Sequence, residues 1–332
     1  MQMREITEQQ EWEHGIQPIS FRPFTQSFAW GAFQASVGKP VKRLFIEKDG
    51  GLIAACQLIF ESRPLVGGYW FAPKGPIFIT NETKNKKEAM DTLRAYAKTH
   101  LRHGVFLRVE PMLLSTEMEV PPSWERKKSL NPSSTRRLDL KQTEKTLLQG
   151  MHQKTRYNIR VSEKKGALVE VDDGKNLSDF LRVMKETATR DTFTQHDDTY
   201  VKKTFVFLNG KGKAKLRLAK YEDKIIAGQM DIWYGDTVTY LYGASSSSRR
   251  DLMAPYALHW SAITEAKKAN MHWYDFWGEN PENETSIDYK KSWSGISRFK
   301  KGFGGEHLVY TGTLDTPIRR NTYRILRLLR RI

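Results

Sequence analysis

The sequence predicts a mixed α/β fold, α+β in its largely antiparallel sheets, made of two similar halves. Three observations lead there. Apolar runs are joined in pairs by hairpin signals at Asp49-Gly50-Gly51, Glu222-Asp223 and Gly235-Asp236, dipeptides suited to tight turns between antiparallel strands. Each strand meander is followed by a helical period and then by one more apolar strand. Finally, the Pro- and Ser-containing stretch "VPPSWERKKSLNPSSTRRLDL" separates the two occurrences of this order.

In the first half, "QSFAWGAFQASVG" places Phe28, Trp30 and Phe33 on a short amphipathic helix closed at Gly38. "VKRLFIEKDGGLIAACQLIFES" reads as two strands, and "YWFAPKGPIF" as a third that breaks at Pro73 and Pro76. "NKKEAMDTLRAYAKTHLRHG" is a helix that stops before Gly104, and "VFLRVEP" is a buried strand. After the Pro/Ser stretch, "LSDFLRVMKETATRD" is helical. "AKLRLAKYEDKIIAGQMDIWYGDTVTYLYGASS" gives three strands, "PYALHWSAITEAKKANM" a helix, and "HWYDFWG" a strand with aromatic residues on both faces. The tail "PIRRNTYRILRLLRRI" reads as a basic amphipathic helix, with Ile325, Leu328, Leu329 and Ile332 as its packed stripe and its arginine face meeting a polyanion, either nucleic acid or an anionic membrane surface.

Composition narrows the function classes. The chain has 332 residues, 39% of them hydrophobic and 11% aromatic, enough for two real cores. The formal charge of +16 points to a polyanionic partner: nucleic acid, a phosphorylated substrate or an anionic membrane surface. Cys56 is the single cysteine, so no intrachain disulfide can form, in keeping with a reducing compartment. A polar, acidic start and the lack of any long apolar run predict a soluble, cytoplasmic protein. The eight histidines are scattered, and no G-x-S-x-G or H-E-x-x-H motif occurs. Neither a metal nor a cofactor is expected, and a monomer is.

The order helix, three-strand meander, helix, strand is that of the N-acetyltransferase-like (GNAT) fold. In an acyl-CoA enzyme of this fold a glycine-rich turn at a helix N-terminus cradles the pyrophosphate. Here that junction is "GASSSSRRDLMAPYALHW", which has four serines and two arginines but no G-x-G. Eight pieces, "QSFAWGAFQ", "APKGPI", "FLRVEP", "KTRYNIRVSEKKG", "YLYGASS", "APYALHW", "YDFWG" and "FKKGFGG", together resemble the FemABX family of non-ribosomal peptidyl transferases. These enzymes move amino acids from aminoacyl-tRNA to the peptidoglycan stem peptide. No heptad pair for a long helical arm is found, so the resemblance is to the short, FemX type. It implies two tandem GNAT-like domains with a cleft between them, residues 1–142 with 308–332 and residues 143–307. It implies aminoacyl-tRNA as donor partner and UDP-MurNAc-pentapeptide or lipid II as acceptor, with peripheral contact at the inner face of an anionic membrane left open.

Attack of an amine on an aminoacyl ester needs positioning, an unprotonated amine and a stabilised oxyanion, but no enzyme nucleophile. The loop "GISRFKKGFGG" concentrates Arg298, Phe299, Lys300 and Lys301 among four glycines. By resemblance, Phe299 and Lys300 meet the tRNA acceptor end, Phe299 by stacking and Lys300 by neutralising a phosphate or the oxyanion. The glycines are expected to let the chain approach this ligand. Glu110 matches an acidic residue proposed as base; it can equally orient the amine or pair with Arg108. Lys154, Arg156 and Arg160 lie in a basic helical stretch, which reads either as a phosphate-tracking stripe or as a solvated face. By resemblance Thr194, His196 and Tyr200 face the nucleotide-sugar diphosphate, His196 standing where the family has an arginine. Tyr256 and Trp30 complete the candidate binding residues. Two other readings remain open on the residues: an acyltransferase of the same fold using another activated donor such as acyl-CoA, and a non-catalytic RNA-binding protein.

Overall fold

The computed structural model describes residues 1–63, 67–191 and 196–329. The chain forms two compact units, one of Met1–Ser133, Pro281–Asp288 and Val309–Ile332, the other of Ser134–Asn280 and Tyr289–Leu308.

The first unit opens with β1 (Gln2–Glu5), α1 (Gln9–Ile16) and α2 (Phe28–Ser36). Ser27 caps α2 by accepting from the Trp30 amide at 3.0 Å, and Gly38 ends it at φ +87°. The meander follows as β2 (Val41–Lys48), β3 (Gly51–Arg63) and β4 (Gly67–Ala72), with the short β5 (Ile77–Phe78) folded back on β3. Asp49 and Gly50 turn from β2 to β3 at φ +51° and +79°, the two left-handed positions a tight hairpin requires. α3 (Thr83–His100) crosses over to β6 (Gly104–Val109), which pairs parallel with β4, and β7 (Glu125–Lys127) follows.

The second unit begins at β8 (Ser134–Asp139), inside the Pro/Ser stretch that separates the two halves, and that stretch contains two short strands, one for each sheet. α4 (Glu144–Gly150), α5 (Gln153–Lys164), β9 (Leu168–Asp172), α6 (Leu177–Asp191) and α7 (Asp198–Asn209) lead to the second meander. This is β10 (Ala214–Tyr221), β11 (Lys224–Tyr234) and β12 (Thr237–Ser245). α8 (Ala254–Lys268) then crosses to β13 (Trp273–Gly278), parallel to β12. α9 (Ser294–Lys301) and β14 (Glu306–Val309) complete the run. The chain returns to the first unit as β15 (Thr313–Pro317) and α10 (Arg320–Leu328).

The sheet orders are β1-β2-β3-β4-β6-β15-β7 and β14-β8-β13-β12-β11-β10-β9. Each sheet is thus a meander extended by a parallel crossover strand, and that strand then pairs antiparallel with one from elsewhere in the chain: β15 on β6, β8 on β13. The first core gathers Leu58, Trp70, Met90, Leu107 and Leu314. The second gathers Leu138, Ile159, Val238, Ile263, Phe276 and Phe303.

Three expectations are corrected. The stretch "GISRFKKGFGG" is not an open loop: residues 294–301 are helix, and only Gly302–Gly305 turn. Arg108 does not pair with Glu110. It lies directly across from Asp315 in the β6–β15 register and makes a bidentate bond to it, both distances 2.7 Å. The third is the tail, where Ile325, Leu328 and Leu329 do not form the packed stripe. α10 buries Tyr323 and Leu326 instead, because the Tyr323 hydroxyl donates to Glu125 and Asp315 at 3.2 and 3.3 Å and its ring packs on Phe106. Ile332, Arg330 and Arg331 lie outside the described residues.

Candidate active site

α9 delivers Phe299 and Lys300 in its last turn, and the turn after it is held by close backbone approach. A Cβ on Gly304 would come within 2.5 Å of the Gly150 carbonyl oxygen, and one on Gly305 within 2.3 Å of that of Arg137. Both glycines have φ near +80°. These glycines therefore serve the chain's own packing at α4 and β8, not an approach to ligand as expected. The Gly302 carbonyl accepts from the His152 amide at 2.8 Å, and Arg136 donates to the Gly305 carbonyl at 3.0 Å while forming a buried bidentate pair with Glu279.

Lys300 is only 3% exposed and donates to the carbonyl of Gly278. That carbonyl is aimed by an irregularity at the end of β13. The register slips between Asp275 and Gly278, and Trp277 adopts φ +56°, costly for a bulky residue. Asp275 holds the bend by accepting from the Trp277 amide at 2.9 Å and from the Thr135 hydroxyl. Burial pushes the Lys300 ammonium down to about 8, with Asp275 and Glu279 pulling back the other way. The Nζ lies 5.4 Å from the centroid of Tyr240.

Beside it, Phe299 packs edge-on against Tyr256 at 4.9 Å and touches His259 and Phe303 at 5.4 Å each. His259 is held neutral, its pKa driven well below the usual value by burial and by the charge of Lys300. Behind it runs a buried polar chain. His259 Nδ1 lies 2.8 Å from the Tyr274 hydroxyl, Gln229 Nε2 donates to that hydroxyl at 3.4 Å and to Asp231 at 2.9 Å, and Arg217 donates to Asp231 at 3.1 Å and to Glu265. His259 Nδ1 and the Tyr274 hydroxyl thus share one hydrogen bond at the head of this chain. Asp231 is fully buried, and desolvation raises it to about 6 against the pull of Arg217. Sequence reading missed this chain, although Asp231 carried a signal as the one acidic residue of the largely apolar β11.

The other candidates of this unit separate. On α5, Lys154 and Arg160 are exposed. Arg156 turns back to donate to the carbonyls of Leu148, Gln149 and Met151, capping the end of α4. Arg156→Met is expected to lower stability by about 1–2 kcal/mol, as urea unfolding will report. Arg298 and Lys301 are exposed on α9. His196 and Tyr200 meet at 5.4 Å, and His196 also reaches Tyr242 at 5.9 Å, so these three rings form a second cluster. Thr194 lies outside the described residues. At the serine-rich junction, Glu186 accepts from the Ser246 hydroxyl at 2.9 Å and from the Ser247 amide.

Glu110 and Trp30 belong to the first unit. Glu110 is 3% exposed and accepts from Leu130 N, Asn131 N, Asn131 Nδ2, Thr313 Oγ1 and Lys74 N at 3.1, 2.9, 2.7, 2.9 and 3.4 Å. Both of its oxygens are thus engaged in joining β6 to the 129–133 segment and β15. Trp30 is buried between Phe24 and Phe33, at ring distances of 5.1 and 5.5 Å. Among the described residues no cluster of three or more His, Cys, Asp or Glu could hold a metal ion.

A profile of the FemAB family matches residues 7–123, 122–222 and 207–331. The lipid II:glycine glycyltransferase of Staphylococcus epidermidis is 20% identical over 380 residues, spanning 90% of this chain and 88% of that protein. The crystal structure of FemX shares the fold with a TM-score of 0.80 at 18% identity, covering 98% of this chain and 100% of that one. A tandem GNAT protein from the clavulanic acid biosynthesis pathway aligns with a TM-score of 0.53 at 8% identity, over 96% and 98% of the two chains. The two sheets are accordingly of tandem GNAT type, and the chain belongs to the FemAB family.

Proposed function

We propose that the protein is an aminoacyltransferase that takes an aminoacyl group from tRNA and adds it to an amine of a peptidoglycan precursor stem peptide, carried on UDP-MurNAc or on lipid II. The observation that carries this reading is the buried Lys300 at the end of α9, beside the aromatic group of Phe299 and Tyr256. A cation in a water-poor site stabilises a developing oxyanion or a phosphate far better than one in solvent, and the adjacent rings offer a face to a terminal base. The names of the lipid II glycyltransferases that the chain resembles support the same acceptor class. Against an acyl-CoA donor stands the serine-rich junction, where the carboxylate of Glu186 uses the Ser246 and Ser247 donors that a diphosphate would need.

In this reading Lys300 acts protonated. Its advantage over Lys300→Met therefore shrinks as pH rises through about 8 and the ammonium is lost. The ratio of the two single-turnover rates across pH 6.5–9.5 (a range about 1.5 units either side of that value) measures this, and a ratio that grows with pH would make the neutral amine the active form. The function itself is tested by mass spectrometry of UDP-MurNAc-pentapeptide and of lipid II after incubation with charged tRNA mixtures. A product heavier by one amino-acid residue is expected on one of them. Unchanged precursors with every charged tRNA would reject the proposal.

A further inference from the structure

α10 presents to solvent the apolar side chains that its periodicity seemed to reserve for packing. Ile325, Leu328 and Leu329 are 56%, 82% and 58% exposed, while Tyr323 and Leu326 anchor the helix on the first unit. At 3.6 residues per turn the three exposed apolar residues share an arc of about 100°, and Arg320, Arg324 and Arg327 fill the neighbouring arc of about 60°. Arg319 precedes the helix, and α10 contains no acidic residue. Arg327 is 3.4 Å from Glu125, whereas the pKa of Lys98, at the end of α3, is lowered by desolvation and then by the neighbouring charges of Arg94 and Arg320. The result is a surface on which a bare aliphatic strip borders a dense row of cations. Among the described residues no helix is long and apolar enough to cross a membrane.

We propose that this face of α10 docks the protein on an anionic lipid surface, with Ile325, Leu328 and Leu329 entering the acyl boundary and Arg320 and Arg324 meeting the headgroups. The pairing of charge and apolarity selects this occupant. Phosphates of a nucleic acid would satisfy the arginines but would leave three large aliphatic side chains in water. A lipid interface satisfies both, since arginine stems can lie along the boundary while the guanidinium heads stay in the headgroup layer. The inference is independent of the transfer reaction proposed above, because it concerns where the protein resides and not what its second unit does.

The test is co-sedimentation of the full chain with sucrose-loaded vesicles of phosphatidylcholine alone or with phosphatidylglycerol at a quarter of the lipid, at low and physiological salt. The wild type is expected to bind the mixed vesicles and not the neutral ones. Arg320→Gln with Arg324→Gln should weaken binding roughly 25-fold, about fivefold per cation near an anionic surface. Ile325→Ser with Leu328→Ser should weaken it at least tenfold through lost apolar insertion. All four side chains are solvent-exposed, so circular dichroism melts should coincide with wild type. Equal binding of the Ile325→Ser/Leu328→Ser protein, or no preference of the wild type for the anionic vesicles, would overturn the proposal. So would loss of tRNA affinity in the arginine variant without any vesicle binding by the wild type, which would assign the surface to RNA.

Discussion

Lys300→Ala is expected to slow aminoacyl transfer by tens-fold or more, the equivalent of about 2–4 kcal/mol of lost transition-state stabilisation, while the protein stays folded. Folding survives because the buried ammonium is itself costly. Its folded pKa of about 8 lies below the ordinary lysine value, so the unfolded chain holds the proton more tightly than the folded one. Protonated Lys300 thus disfavours the folded state fully below pH 8, and that penalty fades as pH rises toward the unfolded value of about 10.4. Lys300→Met, close in volume and without charge, should match or exceed wild-type stability at pH 7, with the difference narrowing in that alkaline window. Urea unfolding at pH 7 and pH 9.5 (a point roughly inside the window) reads this directly. Wild-type transfer rates in either variant would remove Lys300 from the chemistry, and a large loss of stability in Lys300→Met would show that the bond to Gly278 matters more than the buried charge.

The second large effect is expected at Glu110, and on stability. Glu110→Ala would strand buried donors from Leu130, Asn131 and Thr313, and a loss of about 3–5 kcal/mol is expected, the range for breaking a buried charged cluster on one side. Glu110→Gln keeps one carbonyl oxygen and the volume. It should lose less than half as much and retain substantial transfer, with the pH–rate profile unshifted, because a carboxylate with both oxygens occupied orients the 129–133 segment and has no lone pair directed at a substrate proton. Disappearance of the acidic limb in the Gln variant, with the fold intact, would instead make Glu110 the base.

Much of the architecture was legible because its signals are local. The turn at Asp49-Gly50 and the one at Glu222-Asp223, with φ of +48° and +59°, are written in adjacent residues, and the periods of α3, α6 and α8 run long enough to be read. The short strands β1, β7 and β14 were not legible, since three or four residues carry no period and exist only through their partners. The same distinction explains the site. The clustering of charge and aromatics at residues 298–303 drew attention to α9, but where each group points depends on residues far along the chain. Arg156 looked like one member of a basic stripe until the end of α4 arrived beside it. Gly304 and Gly305 looked like room for a ligand, and are filled by the backbone of residues 150 and 137. Tail periodicity correctly identified an amphipathic helix but not its rotation, which Tyr323 sets through Glu125 and Asp315.

The order in which the strands are made has a consequence for synthesis. β6 leaves the ribosome long before β15, its neighbour in the first sheet, with the whole of Ser134–Asn280 translated in between. At elongation rates of roughly 5–20 residues per second this delay is about 10–40 s. Throughout it, one edge of β6 has no partner and Arg108 waits for the carboxylate of Asp315. The second unit, whose strands all precede residue 310, can close its sheet first. The nascent first unit therefore passes through a period with an open sheet edge and an uncompensated cation, the kind of surface on which chaperones act. Only when β15 emerges does the ladder close.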